Sequence, residues 1–188
     1  MKKKNKKPIE RKKVKKKEFD IKNTLYHNRQ LFLYNDIESK HSVHLVRELI
    51  ALDSINHEPI DLWINCPGGS CDAGLAIINT MGKIKSPVRT IINNRACSMA
   101  SVVSVMGDQR LAFKDSTWMQ HPMSSWNEGC INDMEDYLKW LKKLDKRIID
   151  LMVENTQLTE EQIKKFKRGE LWLIGEELKQ YGIVDKII

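Results

Sequence analysis

Three segments of this sequence carry residues whose type and setting could do chemistry near neutral pH. The first is Arg95-Ala-Cys-Ser-Met-Ala-Ser101. Ser98 sits there at a predicted strand-to-helix junction, with small residues at Ala96 and Ala100. A serine so placed exposes its hydroxyl, and the helix amides beside it favour developing negative charge. On this segment alone, a helix-start serine with no catalytic role is the commoner reading. The run is not G-x-S-x-G, which excludes an α/β-hydrolase elbow. Cys97 is a rival nucleophile, although its neighbours suggest a small buried residue. The second segment supplies a base. Of five histidines, His27 lies near the basic tail, His41 and His44 fall on a mostly solvated helix, and His57 falls in a polar loop. His121 ends Trp118-Met-Gln120 and precedes Pro122 and a polar loop, so it is the best placed to take a serine proton. Its plain alternative is a satisfied loop histidine. The third segment is Pro67-Gly68-Gly69-Ser70, whose amides could donate to an anion or an oxyanion. A tight turn feeding a helix explains Gly-Gly equally well, and the Walker spacing with its lysine is missing.

The elements that would position these residues alternate. Leu31–Tyr34, Ile60–Asn65 and Val88–Ile92 read as buried strands, with Leu111–Phe113 and Thr117–Gln120 as shorter ones. Apolar spacing predicts helices over 38–52, from Ser70 or Asp72 to about Ile84, over 96–106, and over 131–154. Thr159-Glu-Glu-Gln162 matches a capping box for a helix ending near Gly169. A short helix over 176–180 stops at Gly182, and Ile183–Ile188 closes as a strand. The alternation predicts an α/β layered fold, with sites at strand ends.

Composition narrows the function classes. A chain of 188 residues, 41% hydrophobic and 30% charged, can bury a substantial core and is not wholly disordered. No apolar run approaches the ~18 residues of a membrane span, and no secretory leader is read at the N-terminus. The four cysteines (Cys66, Cys71, Cys97, Cys130) lack zinc spacing and are expected as reduced thiols, so neither a metal nor another cofactor is expected. The net charge of +7 is uneven: residues 1–17 hold eleven Lys or Arg against one Glu, while the remaining 171 residues hold 21 basic and 24 acidic side chains. Residues 1–22 are expected as a disordered Lys-rich arm and 23–188 as one domain. The arm could contact nucleic acid through phosphates, serve as a propeptide, or be merely solvated. No aromatic precedes Phe19, so base stacking by the arm has no support.

Taken together, the motifs resemble a known family. The run Leu62-Trp-Ile-Asn-Cys-Pro-Gly-Gly-Ser70, then Ala73-Gly74 and Thr80-Met81, is similar to the proteolytic subunit of the Clp protease. Ala96-Cys-Ser-Met-Ala100 is similar to that family's nucleophile segment, and Met119-Gln-His-Pro122 to its histidine segment. Tyr181-Gly182 and Val184-Asp185 match its last helix and strand. The resemblance spans roughly residues 29–188 and implies a ClpP/crotonase-like spiral of ββα units with a protruding handle helix, here from Ile131. It puts Ser98 on the nucleophile position, His121 on the general base, and the amides of Gly69 and Met99 on the oxyanion hole. Gly68, Ser124, Ser125 and Trp126 fall where the substrate backbone is bound.

Counting back from Tyr181-Gly182 puts Glu170 on the acid that orients the histidine, where the family usually has Asp. The family's frequent Arg before that acid is Gly169 here. The Ser-to-His separation is two residues shorter, near Gly107-Asp108, and Pro122-Met-Ser-Ser-Trp126 replaces a glycine-rich strand. The resemblance implies a cytoplasmic serine endopeptidase acting on unfolded proteins, without cofactor or membrane. Its partners would be an ATP-dependent unfoldase of the AAA+ class and further copies of the chain in heptameric rings, stacked in pairs. The alternatives are a non-catalytic ring subunit, a viral-type maturation protease and an acyl-CoA enzyme on the related crotonase fold.

Overall fold

The computed structural model describes residues 20–188. The lysine arm up to residue 19, and the expectations placed on it, lie outside the described residues. Asp20 caps helix α1 (Ile21–His27) by accepting from the Asn23 amide at 3.1 Å. The domain boundary expected at residue 23 therefore falls inside this helix.

Four strands pair in parallel in sequence order: β1 (Gln30–Leu33), β2 (Ile60–Cys66), β3 (Val88–Cys97) and β4 (Gln109–Ala112). A short β7 (Lys186–Ile187) adds to β4, β5 (Thr117–Gln120) pairs in parallel with the far end of β3, and β6 (Leu171–Ile174) runs antiparallel to β5. Helices α2 (Ser39–Ile55), α3 (Cys71–Met81) and α4 (Met99–Ser104) supply the first crossovers, and α5 (Ile131–Asn155), α6 (Glu160–Phe166) and α7 (Glu176–Gln180) follow β5. Central β2 buries Ile60, Leu62, Ile64 and Cys66 on one face, with Asp61 also buried on the other. Trp63 and Asn65 on that second face stay partly exposed, so the burial of β2 largely alternates. Asp61 is held there by the Arg89 guanidinium. Leu45, Leu49 and Leu52 of α2 and Ile77 of α3 close the core against the sheet.

Besides α1, for which no element was expected, and β7, which covers only two residues of the strand expected over 183–188, two elements differ from the sequence expectation. Val88–Ile92 was expected to end at Asn93-Asn-Arg95, yet β3 continues to Cys97 and α4 begins at Met99 rather than at residue 96. The strand persists because it changes partner: Val88–Ile92 pairs with β2 and β4, and Arg95–Cys97 pairs with β5. The two asparagines between remain extended, their amides donating to Tyr34 Oη and Asn65 Oδ1. The second difference is β6, a four-residue strand for which no element was expected. Helix α5 buries Leu144, Ile148, Leu151 and Met152 in its C-terminal half. Its N-terminal half leaves the same apolar stripe in solvent, with Ile131 75% and Leu138 51% exposed.

Candidate active site

The turn after β2 determines how closely two segments approach. Gly68 and Gly69 take φ of 102° and 142°, a region that side chains disfavour. A Cβ on Gly68 would stand 2.7 Å from Ser98 Cβ and 2.9 Å from the Met99 nitrogen, and one on Gly69 would stand 2.5 Å from the Ile37 oxygen. Glycine thus lets this turn lie directly on the Ser98 segment. Gly69 forms a parallel bridge with Ile37, in which the Ile37 amide donates to the Gly68 carbonyl (2.8 Å) and the Ser70 amide donates to the Ile37 carbonyl (2.7 Å). Those bonds use the residues flanking Gly69, so its own N–H faces away from Ile37. Ser70 then caps α3, its Oγ accepting from the Ala73 amide. Gly74 of α3 leaves room for the Met99 side chain, since a Cβ there would collide with Met99 Cγ.

Ser98 is the residue between β3 and α4. Its φ of 52° and ψ of −127° lie outside the usual regions for a residue with a Cβ. Such strain costs on the order of 1–3 kcal/mol and persists where the surroundings over-determine it. Here the Ser98 amide donates to the Met119 carbonyl at 2.8 Å, and its carbonyl accepts from the Ser101 amide and hydroxyl at 2.9 and 2.6 Å. The elbow turns the half-buried hydroxyl to His121, with Oγ 2.9 Å from Nε2. The other ring nitrogen, Nδ1, lies 2.8 Å from the Pro122 carbonyl oxygen. A carbonyl only accepts, so Nδ1 carries the hydrogen and Nε2 is left as the acceptor for the serine proton. The amide of Met99 opens α4 and has no intrahelical acceptor.

Glu170 occupies a telling register. Gln120 pairs with Leu171 at the end of the β5–β6 ladder, so His121 and Glu170 are the next residues beyond that last pair, one on each chain segment. The carboxylate nevertheless does not engage the ring. Glu170 Oε2 accepts from Trp172 Nε1 at 2.7 Å, and Pro122 holds Nδ1. The structure therefore brings Ser98 and His121 together and leaves Glu170 adjacent but turned away.

A cavity of 340 Å³ opens over the pair. Ser98, His121 and Gly69 line it at one side, with Ser124 and Ser125 from the loop after β5. Ser125 Oγ is tied to Tyr137 Oη of α5 at 2.9 Å. Gly68 and Trp126 do not line the cavity; Gly68 packs behind Ser98, and Trp126 is 77% exposed. The apolar wall comes from Met99 and Val102 of α4, Leu141, Ile148 and Ile149 of α5, and Phe166 of α6. This wall was not foreseen as part of a site. Its signal was present in the apolar spacing over 131–154, which the sequence reading used only to place a helix. Gln120, whose Oε1 accepts from Ser101 Oγ at 3.1 Å, was also missed as a support under the elbow. The rival Cys97 is 4% exposed. Burial pushes its thiol pKa up, outweighing the pull of Arg95 in the other direction, and nearby Glu170 adds to the rise, which keeps it protonated and unreactive.

The family model for Clp protease matches residues 13–188. The chain belongs to the Clp protease family. It is 36% identical over 173 residues to an ATP-dependent Clp protease proteolytic subunit of Deinococcus radiodurans, covering 90% of this chain and 85% of that protein. It is 32% identical over 175 residues to the proteins of the same name from Lactococcus lactis subsp. lactis and Streptococcus uberis, covering 90% of this chain and 88% and 89% of theirs. The mixed α/β sheet with mostly parallel strands is the fold expected of the Clp protease family. Among the described residues, no helix is long and apolar enough to cross a membrane. Among them, too, no group of three or more His, Cys, Asp or Glu is placed to hold a metal ion.

Proposed function

We propose that this chain is a serine endopeptidase that cleaves unfolded proteins as the proteolytic subunit of a Clp protease. The observation that carries the reading is the 2.9 Å contact between Ser98 Oγ and His121 Nε2 at a strained strand-to-helix elbow. His121 takes the hydroxyl proton at Nε2 as Ser98 attacks the scissile carbonyl. The amides of Gly69 and Met99 receive the oxyanion; the bridge to Ile37 and the first position of α4 leave both without a competing backbone partner in their own elements. His121 then returns the proton to the leaving amine, and water resolves the acyl-enzyme by the same route. The Pro122 carbonyl fixes the tautomer, and in this reading Glu170 is the acid that would supply the negative charge that a carbonyl cannot. The apolar wall suits an apolar side chain next to the scissile bond, while Ser124, Ser125 and Trp126 belong to the loop along which a peptide would lie.

Partnership with an ATP-dependent unfoldase and assembly into an oligomer follow from the family; seven-membered rings, stacked in pairs through α5, are our finer reading. The apolar stripe on the N-terminal half of α5 supports it. We place the enzyme in the cytoplasm on its four unpaired thiols. Family membership does not favour a non-catalytic subunit, a maturation protease or an acyl-CoA enzyme. The test is hydrolysis of a fluorogenic peptide with an apolar residue before the scissile bond. Turnover by the assembled wild type should fall by at least about 10⁴ in His121→Ala. Equal turnover in the two would sink the reading.

A further inference from the structure

Glu170 is the one candidate catalytic side chain that the structure shows engaged elsewhere. Its carboxylate is 2.7 Å from Trp172 Nε1; Trp172 pairs with Met119, and the ladder ends at Gln120–Leu171, which leaves His121 and Glu170 as the next residue on each chain segment. The indole is 52% exposed, so water can take over its hydrogen bond when the carboxylate leaves. On the other side of the exchange, His121 Nδ1 donates to a neutral carbonyl, Pro122 O. A carboxylate is the stronger acceptor for that hydrogen, and more so once the ring becomes imidazolium. The two arrangements differ by one half-exposed hydrogen bond against another, which keeps them close in free energy.

We propose that Trp172 is a positioning residue: its indole N–H parks Glu170 in a resting arrangement, and release of the carboxylate to His121 Nδ1 turns the site to its faster form. The inference rests on the serine-peptidase reading, with Glu170 as the third member. No bond is made or broken in the switch. Glu170 rotates about its own side chain, the Nδ1 hydrogen changes acceptor from Pro122 O to a Glu170 oxygen, and Nε2 remains the acceptor of the Ser98 proton throughout.

The test uses the full-length assembled protein and a fluorogenic peptide. Trp172→Phe keeps an aromatic ring without the donor, and Trp172→Leu removes both ring and donor while keeping apolar bulk. Each should raise kcat about 3–10-fold with KM unchanged, and should speed fluorophosphonate labelling of Ser98 by the same factor. The gain should vanish in a Glu170→Gln background, where no charged acid is left to release. A purely structural role for Trp172 would not produce a gain that depends on Glu170. Unchanged or lower kcat in both folded Trp172 variants, with Ser98 still labelled in the wild type, would overturn this proposal alone. A gain that persists with Glu170→Gln would do so as well. Absence of any Ser98-dependent labelling or turnover in the wild type would overturn the serine-peptidase reading, and this proposal with it.

Discussion

Ser98 is held in a backbone conformation that a serine does not choose, and the residues beside it are the reason. Gly68 bears on Ser98 most directly, since any Cβ there would collide with Ser98 Cβ and the Met99 nitrogen. Gly68→Ala is therefore expected to lower the thermal midpoint by several degrees and to abolish fluorophosphonate labelling. The strain at φ 102° and the steric clash act together, a loss of about 2 kcal/mol or more. A variant that labels at the wild-type rate would show that the close approach is unnecessary. Ser98, His121 and the glycine turn were legible in the sequence because each chemistry-bearing residue travels with its own turn in one short segment. The Glu170–Trp172 bond was not legible. It joins residues only two apart but depends on their side-chain rotamers, which local pattern does not encode.

At the scale of elements, the site is assembled from strand ends and one helix pair. β3 delivers Ser98, β5 delivers His121, and β6 brings Glu170 alongside. β6 escaped the sequence reading because Leu171-Trp-Leu-Ile174 is apolar throughout, although its burial alternates and Trp172 and Ile174 stand in solvent. A four-residue apolar run cannot be told from a buried helix segment by period alone, and here, unlike Leu31–Tyr34, it lies between two predicted helices. The capping box on α6, by contrast, was visible as Thr159-Glu-Glu-Gln162 and is present with both reciprocal bonds. That helix carries Phe166, 2% exposed, into the cavity wall. Thr159→Ala should cost about 1 kcal/mol and lower the thermal midpoint by roughly 2–4 °C, measured by calorimetry. An unchanged midpoint would mean that α6 is held by Phe166 packing and not by its cap.

The whole molecule joins a well-packed α/β body to a half-bare helix. Exposed Ile131 and Met134 on α5 form the surface by which we expect ring to meet ring. Ile131→Glu with Met134→Glu should roughly halve the assembled mass in sedimentation, and an unchanged mass would exclude that face. Stability against acid has its own determinant. Partial burial pushes the Asp53 carboxyl up, but the Ser86 hydroxyl and amide, the His57 ring and the Lys85 amide outweigh it and bring it down to about 2. Burial likewise raises Asp185, and Arg110 more than offsets it, leaving its pKa lowered. Folded-state values below the unfolded ones stabilise at pH above the unfolded carboxyl range, and the contribution is lost as pH falls from about 4 towards 2. The thermal midpoint should drop over that window, and less steeply in Asp53→Asn; parallel curves would contradict the assignment.

The central claim is an activated Ser98, and intact-mass analysis after fluorophosphonate treatment tests it most directly. The account predicts one adduct per chain on the assembled wild type, mapped to Ser98, and none on Ser98→Ala with an unchanged melting curve. A folded, assembled wild type that takes no adduct, or an adduct that survives Ser98→Ala, would contradict it.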